Sequence, residues 1–274
     1  SKSIIKYKIT LPSGGFFFST HSLYLNNIIN HKSIRMKKIL VVGASGKTGR
    51  NIVKQLLELG HSVHIIVRTT NNLSKDILKH QKINITKASI LDINEEEMVN
   101  LVSDSDAIVS CLGHNLSFKG IFGEPKRLCT DATKNLCEAI RSSKSNSPIK
   151  FILMSSVGVK NKKIGEQRSI FDNIIITLLR WFLPPHKDNE MALDYLISSI
   201  GNSNKHIEWC AVRPDSLIDD KISKFEIIES PITTIFKGRP TSRKNVANFM
   251  TQLIGDNTLW SMWKFKTPVI MNEK

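Results

Sequence analysis

The stretch from Lys37 to Arg68 constrains the fold of this chain more than any other part of the sequence. It begins with a β-branched apolar run at 39–42, which is too short for a helix and typical of a buried parallel strand. Three glycines follow in G-x-x-G-x-x-G spacing: Gly43, Gly46 and Gly49. Apolar residues then recur with helical periodicity up to Leu57, and a second strand is predicted from Ser62 to Val67. The pattern is therefore strand, tight turn, helix and strand.

The turn and the helix after it have the chemistry of a diphosphate-binding site. Glycines allow a tight turn and let the backbone approach a diphosphate closely, because any Cβ would hold the two apart. The N-terminus of the helix presents free N–H groups and the positive end of its dipole to the anion. Gly60 is expected to end the helix as its C′ residue. Because a strand precedes the turn and a helix follows it, we predict a dinucleotide site rather than a ligand-free turn.

The residues after the second strand indicate which dinucleotide binds. An NAD site places Asp or Glu about 20 residues beyond the glycines to hold the ribose 2′-hydroxyl, whereas an NADP site places Arg near the 2′-phosphate. This chain has Arg68 there, and no acidic residue occurs between Glu58 and Asp76. Lys47 and Arg50 add positive charge beside the turn. We therefore predict NADP(H) rather than NAD(H) as the cofactor.

Strands and helices continue to alternate along the chain. Apolar strands are predicted at Ile83–Ile90, Ala107–Leu112 and Ile149–Met154, with a helix from Glu95 and another over Pro125–Arg141. Such alternation implies right-handed crossovers and a parallel sheet. The predicted fold class is α/β: a Rossmann-type doubly wound parallel sheet with helices on both faces and a small C-terminal substrate-side cap.

Polar residues follow two of these strands directly. In doubly wound sheets, ligands bind outside the carboxyl ends of the strands. Gly113 and His114 follow one strand, and Ser155 and Ser156 follow the next, so all four are expected to line the crevice of the glycine-rich turn. Two other interpretations stay open: His114 as an ordinary loop residue, and Ser156 as a turn or helix-cap hydroxyl.

Residues 1–35 differ in composition from the rest of the chain. They contain no Asp or Glu and are rich in Ser, Asn and Ile, and Met36 directly precedes the first strand. We rank an upstream extension first, a local hairpin or tail second, and an organellar transit peptide third. Residues 36–274 are expected to form a single NAD(P)-binding domain with substrate-side insertions around 157–200 and 215–243.

Charge and cysteine content exclude several other classes of protein. The net charge is +15, but the cations are scattered and form neither an arginine-rich helix nor a zinc-finger spacing, so no specific nucleic-acid partner is expected. The four cysteines form no C-x-x-C pair and are expected to be buried thiols in a reducing compartment, with no metal site. No run approaches the roughly 18 apolar residues of a membrane span. We predict a cytoplasmic protein, or an organellar one if residues 1–35 are a transit peptide.

The order of these elements resembles the atypical short-chain dehydrogenase/reductases, and among them the NmrA-like NAD(P)-binding group that includes the biliverdin-IXβ/flavin reductases. The resemblance covers about residues 36–272. The motifs that carry it are VVGASGKTG at 41–49, VR at 67–68, DAIVSCLG at 106–113, FILMSS at 151–156, WCAVRPDSLID at 209–219 and TSRKNVANFM at 241–250.

The resemblance implies a role for each matching residue. It assigns Arg68 to the 2′-phosphate, Gly113 and His114 to the neighbourhood of the ribose, and Ser155 and Ser156 to that of the nicotinamide. The implied diphosphate contacts are Gly43, Ser45, Gly46, Lys47, Thr48 and Gly49. The family commonly has Gly-Asp after the third strand where this chain has Ala-Ser at 88–89, so the adenine contact stays open.

A second departure concerns the catalytic pair of the superfamily. Many members use a Tyr with a Lys four residues later, and the Lys lowers the pKa of the phenol so that it can pass a proton. Tyr7, Tyr24 and Tyr195 are the only tyrosines, and the residues four positions later are Leu, Ile and Ser. The Tyr-x-x-x-Lys dyad is therefore missing from this sequence.

Two functional classes remain. The preferred one is an NADP(H)-dependent oxidoreductase that transfers hydride to a small acceptor of the flavin, quinone or carbonyl type, with Ser156, His114 or His186 as the proton donor. The alternative is a non-catalytic NADP(H)-binding redox sensor or assembly protein. A nearly apolar helix predicted at Ile170–Leu183 favours a core or pocket wall over a dimer face or membrane-surface element. A monomer or homodimer is expected.

Overall fold

A computed structural model describes residues 7–8, 35–113, 123–161, 165–166, 172, 174, 176–177, 184–229 and 239–273. Within these residues the strands are β1 Tyr7–Lys8, β2 Lys38–Val42, β3 Ser62–Val67, β4 Ile83–Lys87, β5 Ala107–Ser110, β6 Ile149–Met154, β7 Ile207–Pro214, β8 Leu217–Ile218, β9 Phe225–Ile228, β10 Thr241–Ser242 and β11 Val269–Asn272. The helices are α1 Lys47–Glu58, α2 Lys75–Leu78, α3 Glu95–Ser103, α4 Leu128–Ser142, α5 Pro184–Tyr195, α6 Arg243–Gly255 and α7 Asn257–Trp263. A π-helical turn, Leu196–Ile200, continues α5.

Nine of the strands form one mostly parallel sheet in the order β1-β9-β11-β7-β6-β5-β2-β3-β4. The chain builds outward from β2 through β3 to β4, and then on the other side through β5 and β6 to β7. The order therefore reverses beside β2, where Val42 pairs with Ile66 on one side and with Ser110 on the other. The carboxyl ends of β2 and β5 meet at this reversal, which is where doubly wound sheets bind their ligands. The predicted α/β fold class is confirmed.

The sheet is extended beyond β7 by strands from the end of the chain and from its start. β11 is parallel to β7, β9 is antiparallel to β11, and β1 is antiparallel to β9 with Tyr7 opposite Ile227. β8 and β10 form a separate parallel pair. Apart from Tyr7 and Lys8, the hairpin predicted for the first residues lies outside the described residues.

Two apolar layers cover the faces of the sheet. Ile39 and Val41 of β2 point to the layer that contains α1, α6 and α7, whereas Leu40 and Val42 point to the layer that contains α3, α4 and α5. All four side chains are buried. Burial on both faces explains why the strand is apolar at consecutive positions rather than at alternate ones.

Some boundaries differ from the sequence predictions. The strand predicted to reach Ile90 ends at Lys87, because a turn closed by a hydrogen bond from Asp92 N to Ser89 O follows it. The helix predicted from Pro125 begins at Leu128. The helix α5 begins at Pro184, because proline suits the first turn of a helix, where its missing N–H costs nothing. The apolar segment 170–183 lies largely outside the described residues.

The four cysteines are buried and free, as predicted. Burial raises the pKa of the Cys111 thiol to about 12 and raises the pKa of the Cys137 and Cys210 thiols as well. These thiols are therefore packing residues rather than nucleophiles.

Candidate cofactor site

Glycine is needed for different structural reasons at the three positions of the turn. Gly43 has a φ of +77°, and a Cβ there would overlap the backbone of Cys111 and Leu112. A Cβ on Gly49 would overlap the carbonyl of Gly43, so the helix packs on the turn only with glycine at that position. Gly46 is exposed with an ordinary φ of −72°. Gly43 and Gly49 are therefore needed by the fold, whereas Gly46 presents bare backbone to the crevice.

The N-terminus of α1 is open to an anion. Gly46 is the N-cap residue and supplies no side-chain cap, and the first turn contains no acidic residue. The first N–H groups of a helix have no partner within it, so an uncapped end offers donors and positive partial charge. Ser45 is half-buried and Thr48 is buried beside this end. The turn therefore offers backbone donors to an anion, and the diphosphate contacts stay a prediction.

Lys47 is already engaged by a carboxylate. Its Nζ donates to Asp219 Oδ2 at 2.8 Å, and Arg243 Nη1 donates to the other oxygen of Asp219 at 2.9 Å. A hydrogen bond from Lys47, together with the charge of Arg243, holds the pKa of the Asp219 carboxyl below its usual value. Sequence reasoning missed this bridge, since 172 positions separate Lys47 from Asp219. A shallow cleft beside it is lined by Asn51, Asp219, Asp220, Lys221, Arg243 and Lys244.

Arg68 is the residue predicted to contact a 2′-phosphate. It follows β3 directly, is exposed, and makes no hydrogen bond or ion pair with the described part of the chain. Arg50 reaches the same loop from α1, with Nη1 donating to the carbonyl of Asn72 at 2.9 Å. A guanidinium without a partner can bind a phosphate in a bidentate manner, and Arg50 adds charge beside it.

Ser155 and Ser156 lie at the carboxyl end of β6, as predicted. Backbone bonds from Ser155 N to Val212 O (2.8 Å) and from Val157 N to Pro214 O (3.0 Å) hold this segment against β7. The hydroxyls of Ser155 and Ser110 are buried and make no hydrogen bond within the described residues. A buried hydroxyl without a partner is costly. These two hydroxyls lie at the carboxyl ends of β5 and β6, so they are candidates for contact with a polar ligand. Sequence reasoning missed Ser110, whose only signal was a polar residue ending an apolar strand.

His186 and Ser156 flank the backbone of Gly158. A Cβ at Gly158 would lie 3.0 Å from His186 Cε1 and 3.5 Å from Ser156 Oγ, and the Gly158 N–H donates to Ser156 Oγ at 3.2 Å. The Nε2 atom of His186 lies 3.7 Å from Glu190 Oε1, one helical turn along α5. The structure therefore brings together two of the three predicted proton donors. His114 lies outside the described residues, and Gly113 is exposed at the end of the segment that leads to it.

A buried carboxylate fixes the helix that carries His186. Asp188 accepts hydrogen bonds from Cys129 N (2.7 Å), Thr130 N (2.9 Å) and Thr130 Oγ1 (2.6 Å). These donors belong to the first turn of α4, whose own N-cap residue, Arg127, supplies no side-chain cap. Asp188 therefore caps one helix from another, and it sits two residues from His186. No local sequence pattern announces a cap supplied from so far along the chain.

A buried ion pair holds the loop that follows Ser156. Arg213 of β7 is fully buried and forms two bonds to Glu166, at 2.6 and 2.9 Å. It also donates to the carbonyls of Thr267 (2.7 Å) and Val159 (3.0 Å), and Glu166 accepts from Asn161 N at 3.0 Å. Because both charges are fully bonded, this pair is structural and leaves no group for a ligand. A lone Arg within an apolar strand was its only trace in the sequence.

Two further properties bear on the site. Within the described residues, His, Cys, Asp and Glu side chains nowhere gather in a group of three or more that would hold a metal ion. Among the helices described here, none is both long and apolar enough to cross a membrane.

The fold and this crevice define a Rossmann-type dinucleotide-binding protein. The NAD(P)H-binding family matches residues 43–257, and the chain belongs to that family. The predicted resemblance to NmrA-like short-chain dehydrogenase/reductases is confirmed at this level. The family match shows NAD(P)H binding without separating NADP from NAD.

Named relatives cover only part of this chain. An uncharacterised chloroplastic protein of Arabidopsis thaliana is 29% identical over 167 residues, which are 56% of this chain and 58% of that protein. Chloroplastic divinyl chlorophyllide a 8-vinyl-reductase from the same plant is 27% identical over 184 residues, which are 62% of this chain and 42% of that enzyme. This chain therefore spans roughly half the length of these two relatives.

Solved structures agree with the fold. A short-chain dehydrogenase/reductase from Veillonella parvula in complex with NADP superposes with a TM-score of 0.62 at 13% identity, over 86% of this chain and 94% of that chain. An oxidoreductase from Lactococcus lactis gives a TM-score of 0.61 at 16% identity, over 86% and 91%. At such low identity the likeness concerns the fold alone.

Proposed function

We propose that this protein is an NADPH-dependent reductase that transfers hydride to a small acceptor of the flavin, quinone or carbonyl type without a Tyr-x-x-x-Lys dyad. The observation that carries the proposal is the pairing of an uncapped helix N-terminus at Gly46 with Arg68, which directly follows the next strand and has no side-chain partner among the residues that the structure describes. The first group suits a diphosphate, and the second suits the extra phosphate that distinguishes NADP from NAD.

The residues present fit a bound dinucleotide along the whole crevice. The backbone N–H groups of Lys47, Thr48 and Gly49 would hold the diphosphate, since that of Gly46 already donates to Gly43 O at 3.0 Å. Arg68 with Arg50 would hold the 2′-phosphate. Toward the other end, the buried hydroxyls of Ser110 and Ser155 would satisfy their bonding needs on the nicotinamide side. When bound, the cofactor supplies the hydride.

The chain itself would supply the proton. We assign His186 as the proton donor, with Ser156 beside it and Glu190 orienting the imidazole. The imidazole gives a proton to the reduced acceptor, and solvent returns that proton afterwards, so charge balances over one turnover. His114 stays a predicted donor. The helix cap made by Asp188 would keep His186 in place.

Titration and turnover test this proposal together. NADPH and NADH are titrated into the purified protein by calorimetry, and NADPH oxidation is then followed with flavins, quinones, small carbonyls and, given the vinyl reductase relative, tetrapyrroles. We expect tighter binding of NADPH and turnover on at least one acceptor. His186→Gln should lower kcat at least about tenfold with little change in cofactor affinity. Tighter binding of NADH, or full activity in both His186→Gln and Ser156→Ala, would contradict the assignment.

One observation favours a second function. The sequence lacks the Tyr-x-x-x-Lys dyad, so a non-catalytic NADP(H)-binding redox sensor or assembly protein also fits the crevice. Tight NADPH binding without turnover on any acceptor would support this second function instead of the reductase.

We also propose an organellar location for this protein. Both relatives described above carry the word chloroplastic in their names, and residues 1–35 lack acidic residues. This favours the organellar alternative over the predicted cytoplasmic location, with a functional domain from residue 36 onward. Imaging of the chain with a C-terminal fluorescent tag distinguishes the two locations.

A further inference from the structure

The Asp219 carboxylate, an anionic group of the chain itself, lies beside the turn proposed to bind the diphosphate. Lys47, the first residue of α1, donates to the Asp219 carboxylate at 2.8 Å, and Arg243 of α6 donates to the same carboxylate at 2.9 Å. Three segments far apart in the sequence therefore meet at one exposed carboxylate next to an uncapped helix N-terminus.

Asp219 is held in this position by the backbone around it. β8 pairs with β10, Thr241 N donates to Ser216 O at 2.7 Å, and Ser242 Oγ donates to Asp220 O at 3.1 Å. The loop after β8 is thus hydrogen-bonded to the start of α6. The ion pair between Asp219 and Lys47 links the same loop to α1. These backbone contacts place the Asp219 carboxylate beside the glycine-rich turn.

A carboxylate and a diphosphate make the same demand on Lys47. Both are anions that need a cation and hydrogen-bond donors, and two anions that approach one ammonium group repel each other. We propose that Asp219 is an internal competitor of the cofactor: it occupies Lys47 in the free protein and gives Lys47 up when the diphosphate binds. Arg243 keeps Asp219 partnered after the exchange. The inference rests on the proposed function only in that a dinucleotide binds at this turn.

The competition has a cost in affinity and a structural effect. Some of the cofactor's binding energy is spent on separating Lys47 from Asp219, so the measured affinity is lower than the turn alone would give. Because Asp219 lies in the loop predicted to face the acceptor, cofactor binding breaks the ion pair between that loop and α1. Occupancy of the cofactor site is therefore communicated to the acceptor side of the crevice.

Calorimetric titration of NADPH into matched variants tests this inference. Asp219→Asn should tighten NADPH binding roughly two- to fivefold at low ionic strength, the range expected for an exposed ion pair, and the gain should shrink as salt is added. Asp220→Asn is the control, because it removes the same charge from the next residue, whose carboxylate accepts from its own neighbour, Lys221 N. Most of the gain should disappear when Asp219→Asn is made in a Lys47→Gln background.

Each other outcome overturns the inference in a different way. Weaker binding in Asp219→Asn would mean that Asp219 positions Lys47 for the phosphate rather than competing for it. An equal gain in Asp220→Asn would reduce the effect to general charge. Failure of the unmodified protein to bind either cofactor would refute the proposed function, and this inference with it, whereas normal binding with an unchanged Asp219→Asn would refute this inference alone.

Discussion

The two edges of the central sheet treat their polar groups in opposite ways. The amino edge is the side of the sheet where the parallel strands begin, and the carboxyl edge is the side where they end. At the amino edge, the ammonium groups of Lys37 and Lys150 both donate to the carbonyl of Ile254 at the end of α6, and Lys150 also donates to Asn257. At the carboxyl edge, the N-terminus of α1 is uncapped and Ser155 carries a buried hydroxyl without a partner in the described residues.

This difference indicates that the polar groups of the amino edge stabilise the fold, whereas those of the carboxyl edge are available for binding. At the amino edge the ammonium groups of Lys37 and Lys150 are satisfied by carbonyls of the chain, and Lys150 additionally lies 4.9 Å from the centre of the Trp260 ring. The carboxyl edge leaves backbone N–H donors and a hydroxyl available to a bound ligand. Both edges carry cations that the chain already engages, among them Lys150 at one edge and Lys47 at the other, so charge alone does not mark the site. Within the described residues, the uncapped end of α1 and the hydroxyl of Ser155 mark it by their unmet bonding capacity.

The buried ion pair between Arg213 and Glu166 tests whether a charge at the carboxyl edge can be purely structural. Arg213→Met leaves the Glu166 carboxylate buried without its partner, so we expect the free energy of unfolding in urea to fall by about 3–5 kcal/mol. Lys264→Met, which breaks the more exposed pair with Glu208, should cost under about 1 kcal/mol. The double variant Arg213→Met/Glu166→Met should recover much of the loss, and a loss near that of Lys264→Met would contradict the structural role.

Arg68 sharpens the comparison from the ligand side. Arg68→Ala should weaken NADPH binding roughly 10- to 100-fold, because a charge-assisted contact to the 2′-phosphate is lost, and should leave NADH binding nearly unchanged. Folding stability should not change, since Arg68 is exposed and has no partner in the described chain. Calorimetry with both cofactors measures the ratio, and Lys75→Ala controls for general charge. Equal weakening of both cofactors would place Arg68 away from the 2′-phosphate.

Lys150 belongs to the amino edge and tests the comparison through pH. Burial, and next the charge of Lys37, lowers the pKa of Lys150 from 10.5 to about 7. Between these two pH values the unfolded chain binds more protons than the folded one, so this lysine makes stability rise with pH across that interval. Lys150→Met should remove that rise, whereas Lys54→Met, at an exposed site on α1, should keep it. Urea midpoints measured across the interval would show parallel curves for Lys150→Met and the unmodified protein if the prediction is wrong.

Sequence patterns predicted what depends on neighbours along the chain. The strands β3 and β6 match their predicted ranges, and Gly60, the predicted C′ residue, follows the C-cap residue Leu59 of α1 with a φ of +79°. The glycine-rich turn lies where the order of strands reverses, because periodicity and glycine spacing are local signals that tertiary packing reinforces. Ser242 caps α6 through its hydroxyl, as expected from its residue type.

What the sequence did not predict are contacts between distant positions. The pairs formed by Arg213 with Glu166 and by Lys47 with Asp219 bring residues together that only the folded sheet makes neighbours. The cap that Asp188 provides to α4 has the same origin, because its partners lie 58 and 59 positions away. His186 was named as a proton donor from its residue type, but its proximity to Ser156 required the fold.

The three glycines of the turn also bear on how descendants of such a protein change. A lineage that stopped using its cofactor would still have to keep Gly43 and Gly49, because any side chain there would collide with the backbone. Gly46, whose Cβ would meet only the Gly43 carbonyl at 3.2 Å, would be released to drift. Among related sequences, a residue other than glycine at position 46, together with glycine at positions 43 and 49, would therefore identify proteins that keep the fold but no longer bind the cofactor.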